Sequence, residues 1–131
     1  MIEKITFFEI DYAIVMRDSF NAKGISFVTG GDSLLELGYM NHDEGYVVKP
    51  HYHPKVKRVN YGTQEVIFIK KGSVKINFYS KDNILINYII LFKGDWIVFL
   101  NGGHGLEMLE NTELIEVKNG PYLNDKDKVR F

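Results

Sequence analysis

From one end to the other, this chain is divided into short runs of β-branched and aromatic residues, set apart by Gly, Asn and Asp. No amphipathic stretch of helical period runs longer than about three turns, so the pattern admits sheets and argues against helical bundles. The expected class is all-β. The runs predict strands over 5–10, 12–16, 25–28, 34–40, 46–53, 65–70, 73–79, 84–91, 96–100, 104–109 and 112–118. Lys71-Gly72, Lys81-Asp82-Asn83 and Lys93-Gly94-Asp95 stand between consecutive runs and read as turns. Many short strands at regular spacing imply a sandwich, a jelly roll or a small barrel. At 131 residues the chain can bury one self-sufficient core, so a single domain over 1–131 is expected.

Sixteen Lys and Arg against 17 Asp and Glu leave a net charge of -1, which lacks the cationic excess that phosphate neutralisation requires. Nucleic acid is therefore an unfavoured partner. The absence of Cys removes disulfides, thiolate zinc sites and cysteine nucleophiles together, so any metal must sit on His and carboxylate. Glu3, Lys4, Glu9 and Asp11 interrupt the N-terminal apolar residues, which leaves neither a signal peptide nor a membrane span there. A cytoplasmic protein, with no membrane partner, is the expectation. The strands before Gly31 are candidates for pairing with a second subunit, and a homodimer is the expected assembly.

Chemistry concentrates in a few residues. In Pro50-His51-Tyr52-His53-Pro54 a strand would place His51 and His53 on one face and Tyr52 on the other, a spacing that lets two imidazoles hold one metal ion. His104 stands in the Gly-rich turn GGHGLEML, and Glu65, flanked by Gln64 rather than a countercharge, opens the run EVIFIKKG. Three imidazoles and one carboxylate suit a divalent transition metal such as Fe, Mn, Ni, Zn or Cu and leave positions open for water or substrate. His42, beside Asp43 and Glu44, reads as exposed. Ile67, Phe68 and Ile69 read as core, and Trp96 as core or as a stacking wall for a ring. The polar tail LNDKDKVRF reads as a solvated terminus.

These residues resemble the two motifs of the cupin superfamily. Gly45, five residues, His51, Tyr52, His53, eleven residues, Glu65, six residues and Gly72 are similar to the first motif, with a longer gap before the Glu than the family usually has. Gly94, five residues, Leu100, Asn101, Gly102, Gly103 and His104 are similar to the second, with Leu100 in place of Pro, the His one residue early and Met108 where the family often has Asn. The resemblance spans about residues 45–110 and implies a double-stranded β-helix, a jelly-roll barrel with His51, His53, Glu65 and His104 around one ion inside it. A longer hairpin loop can absorb the extra residues; a one-residue register shift would instead turn Gln64 inward and leave three histidines.

The loop between the two halves of the first motif carries Lys57, Arg58 and Tyr61, which the resemblance would hang over the barrel mouth as contacts to a substrate phosphate or carboxylate. The tail and the GGHG turn look like small cupins of bacterial surface-polysaccharide and nucleotide-sugar pathways. The expected function is accordingly a metal-binding enzyme acting on a small polar, carbohydrate-related metabolite, with the metal as Lewis acid in an isomerase, epimerase, lyase or dioxygenase reaction. Two alternatives stay open: a non-catalytic binding module, and a metal-free nucleotide-sugar isomerase or epimerase using His as acid and base.

Overall fold

The computed structural model describes residues 1–131 as an all-β chain of three antiparallel sheets. Its strands are β1 (Ile2–Phe7), β2 (Ile10–Met16), β3 (Gly24–Phe27), β4 (Gly38–Asn41), β5 (Glu65–Lys71), β6 (Ser73–Tyr79), β7 (Leu85–Phe92), β8 (Trp96–Phe99), β9 (Gly103–Met108) and β10 (Glu113–Lys118). A five-stranded sheet runs β1-β2-β8-β5-β10, a three-stranded sheet runs β7-β6-β9, and β3-β4 form a separate hairpin. The two larger sheets enclose the core, as in a sandwich or barrel.

Alternation along the strands builds that core. Val74, Ile76 and Phe78 of β6 point inward at period two and meet Ile67 and Ile69 of β5, Ala13 and Val15 of β2, and Ile97 and Phe99 of β8. Each fully buried aliphatic or aromatic side chain here contributes about 1.5–3 kcal/mol. Phe68, expected in the core with its neighbours, faces the other way and packs on Trp96, ring centroids 4.5 Å apart. Trp96 is thereby part of the sheet's far side rather than a wall for a ligand. The same far side buries a cross-strand row, Ile14, Val98 and Val66.

One ionic cluster fastens the sheets. Arg17, just past β2, bonds Glu3 through Nε (2.6 Å), and through Nη1 both Asp95 (2.8 Å) and the Ile90 carbonyl of β7 (2.9 Å). Asp95 also accepts from the backbone N–H groups of Asp18 and Phe92, both at 3.0 Å. Burial opposes the Arg17 charge, but the hydrogen bonds it donates to Glu3 and Asp95 outweigh it and hold the guanidinium above its ordinary range.

Several expected strands are corrected. The first boundary falls at Phe8-Glu9, a two-residue turn with both φ positive, so β1 and β2 are a hairpin that pairs with β8 inside the same chain. The strand expected over 34–40 begins only at Gly38, because residues 31–35 turn first. No strand forms over 46–53: residues 47–63 make no backbone–backbone hydrogen bond and are exposed throughout. Pro50 and Pro54 bracket the His-Tyr-His triplet and remove two of the donors a ladder there would need. No helix is long and apolar enough to cross a membrane.

Candidate functional site

A cavity of about 700 Å³ opens at the end of the sandwich where β8 runs into the Gly102-Gly103 turn. Glu65, at the start of β5, and His104, on β9, approach one another across it from different sheets, with Nε2 and Oε2 3.0 Å apart. A carboxylate can only accept, so the imidazole donates. The two side chains are 13% and 25% exposed, which leaves the pair half sheltered and still reachable. Phe99 stacks on the imidazole, centroids 3.9 Å apart and planes within 14°, so one face of His104 is sealed from water. The His104 hydrogen bond is the main reason that the Glu65 carboxyl sits below its ordinary range; burial works against it, and the nearby His104, Lys128 and Lys118 charges add to the lowering.

Local backbone chemistry puts His104 there. The carbonyl of Tyr12 accepts from the N–H groups of Leu100 and Asn101, at 2.8 and 3.3 Å, which draws the turn onto β2. Gly102 then takes φ +74°, and a Cβ at that position would stand 2.0 Å from the Tyr12 ring. Only glycine fits both the angle and the space. Of the two residues that could have faced inward at the start of β5, Glu65 lines the cavity, whereas the Gln64 side chain turns aside and accepts from the Leu35 N–H at 3.1 Å.

Of the four residues expected around one ion, the fold thus joins Glu65 and His104 and keeps His51 and His53 apart from them. Those two lie on the exposed 47–63 segment, rings edge to face at 5.3 Å, with His51 Nδ1 2.8 Å from the Lys49 carbonyl. As folded, no group of three or more His, Asp or Glu side chains stands close enough to hold a metal. Lys57, Arg58 and Tyr61 are exposed, and none of them lines the cavity. His42 is half-buried rather than exposed: its ring stacks on Tyr46 at 3.8 Å, and its Nε2 has no partner.

The tail is exposed at nearly every residue, as expected of a solvated terminus, but it is also tied to the cavity rim. Residues 124–126 form a turn of 3-10 helix, Lys118 Nζ donates to Asp127 at 2.6 Å, and residues 127–131 form part of the cavity wall. The Phe131 ring meets Tyr79 edge on at 5.2 Å. The one signal of this in the sequence is the return of apolar residues, Val129 and Phe131, after the charged run. Tyr79 and Phe99 end strands in which core and cavity positions look alike, and Phe131 follows a charged run, so the aromatic lining carries no distinct signal in the sequence. No family model, curated protein or solved structure matches this chain.

Proposed function

We propose that this chain is a metal-dependent enzyme of cupin type, acting on a small polar, carbohydrate-related metabolite in the cavity around Glu65 and His104. The observation that carries this reading is the 3.0 Å separation of Glu65 Oε2 and His104 Nε2. Two donor atoms bound to one ion at about 2.1 Å, in octahedral or tetrahedral geometry, stand about 3.0–3.4 Å apart. Once an ion displaces the proton that His104 Nε2 donates, the pair stands at the spacing of neighbouring ligands, and an imidazole with a carboxylate suits Zn, Fe, Mn or Ni. His51 and His53 are the residues that would complete the set. Their segment lacks backbone partners, and β9, which carries His104, has β6 on one side and an open edge on the other. Bringing the segment to that edge would satisfy both.

A bound ion would polarise a substrate oxygen as a Lewis acid. The chain's own residues set the conditions: Phe99 excludes water from one face of His104, and Leu106 and Leu114 add apolar wall. Calorimetric titration of metal-stripped protein with Zn, Mn and Ni tests the reading. One ion per chain is expected, with affinity reduced more than about a hundredfold by Glu65→Gln or His104→Gln and also reduced by His51→Gln with His53→Gln. Affinity unchanged in Glu65→Gln and His104→Gln would overturn it.

The direct Glu65–His104 hydrogen bond favours a second reading, in which the pair moves a proton next to a substrate carbonyl without metal. Its mark is turnover that survives chelation and disappears in His104→Gln. A non-catalytic binder would instead show ligand-dependent stabilisation and no product.

A further inference from the structure

We infer that the tail, residues 127–131, is a built part of the ligand site, and that Lys128 and Arg130 bind an oxyanion group of the ligand, a phosphate or a carboxylate. This rests on the reading of the cavity as a ligand site and adds the chemical class of what enters it.

Three contacts hold the tail in place. Asp127, its side chain 5% exposed, receives the Lys118 ammonium at 2.6 Å. Phe131, 64% exposed, sets its ring edge on against Tyr79 at 5.2 Å. Gly103 makes room for it, since a Cβ there would meet the Phe131 ring at 3.2 Å, tighter than ordinary contact. The turn that carries His104 and the segment opposite it are therefore matched in shape.

Between these anchors, Lys128 and Arg130 line the cavity, and neither has a carboxylate within 4.0 Å. The other charges of the lining are largely accounted for: Glu65 is bonded to His104 and Asp127 to Lys118, which leaves Glu116 as the one lining carboxylate without an ion pair. Of the three arginines, Arg17 is consumed by Glu3, Asp95 and Ile90, Arg58 lies on the exposed 47–63 segment, and Arg130 alone faces the cavity. An unpaired guanidinium and ammonium at the lip of a half-sheltered cavity form an anion site, because a planar fork and a point charge complement phosphate or carboxylate oxygens. The role expected of Lys57 and Arg58 passes to the tail.

The test titrates the full chain with inorganic phosphate, with succinate and with neutral glucose, following amide NMR shifts. Phosphate, succinate or both should move the amides of residues 102–105 and 127–131, with affinity that falls as salt is added. Lys128→Gln with Arg130→Gln should weaken binding about tenfold or more. Lys57→Gln with Arg58→Gln should leave it unchanged, and Glu116→Gln should strengthen it by removing a like charge. Equal anion affinity in the Lys128→Gln, Arg130→Gln protein, no anion binding by the natural sequence, or loss on changing Lys57 and Arg58 instead would each overturn the inference. Metal titration of the same variants separates the two proposals. Metal affinity retained while anion affinity falls supports both. Anion affinity lost with these two residues in a protein that binds no metal leaves this inference standing and removes the metal.

Discussion

Substituting alanine at three glycines separates backbone strain from steric conflict at the turn that carries His104. Gly31 has open space around its missing Cβ and a φ outside the left-handed range, so Gly31→Ala should stabilise by about 0.4–1 kcal/mol through the unfolded chain. Gly62 has the same open space but φ +86°, so Gly62→Ala carries the left-handed cost alone, about 1–2 kcal/mol. Gly102 adds to a φ of +74° a Cβ placed 2.0 Å from the Tyr12 ring, which is 6% exposed and cannot easily retreat. Forced overpacking costs about a further 1–3 kcal/mol, which brings Gly102→Ala to about 2–5 kcal/mol. For a domain of this size 1 kcal/mol moves the melting temperature by about 4 °C. The expected series is a rise of about 2–4 °C for Gly31→Ala, a fall of about 4–8 °C for Gly62→Ala and a fall of about 8–20 °C for Gly102→Ala. Thermal unfolding by circular dichroism reads it, and urea unfolding at constant m confirms that one transition is being compared. Equal losses at Gly62 and Gly102 would refute the steric part, and a loss below about 1 kcal/mol at Gly102 would refute both parts.

Three further outcomes follow from the same structure. Asp95→Asn keeps the shape but strips the charge opposing Arg17, and should lower stability by about 2–4 kcal/mol in urea unfolding; a change within about 0.5 kcal/mol would mean that the cluster does not fasten the sheets. Phe78→Ala empties a fully buried site between the sheets and should cost about 3–5 kcal/mol, measured in the same way. Glu65 has its pKa depressed in the folded state, so its stabilisation is present above the unfolded glutamate value of about 4.3 and is lost as pH falls through the lower folded value. Glu65→Gln should therefore flatten the acid limb of the stability profile below about pH 5, and a limb of undiminished slope would count against the pairing with His104.

Seven of the strands, from Gly24–Phe27 and from Glu65 onward, fall close to where alternation and turn residues place them, because there the pattern and the burial agree. The first hairpin was misplaced for a specific reason: Phe8 and Glu9 adopt positive φ without being Gly, Asn or Asp, so the local sequence carries no turn signal. Residues 46–53 have strand composition, but Pro50 and the adjacent Pro54 remove ladder donors and no strand pairs with the segment, and pairing is a tertiary matter. At the site, Glu65 and His104 were legible as chemistry-bearing types, and the fold brings them together from different sheets. Lys128, Arg130 and Phe131 were not legible, since a short charged tail looks alike whether it is solvated or docked; what decides is Gly103 and Tyr79, far away in sequence.

The Arg17–Asp95 cluster and the Glu65–His104 cavity occupy opposite ends of β8. The fastening cluster and the cavity are thus separated lengthwise along one strand. Apart from the turn at Gly102, substitutions around the cavity therefore leave untouched the ion pairs that keep the layers closed, and the two ends of the strand can vary independently.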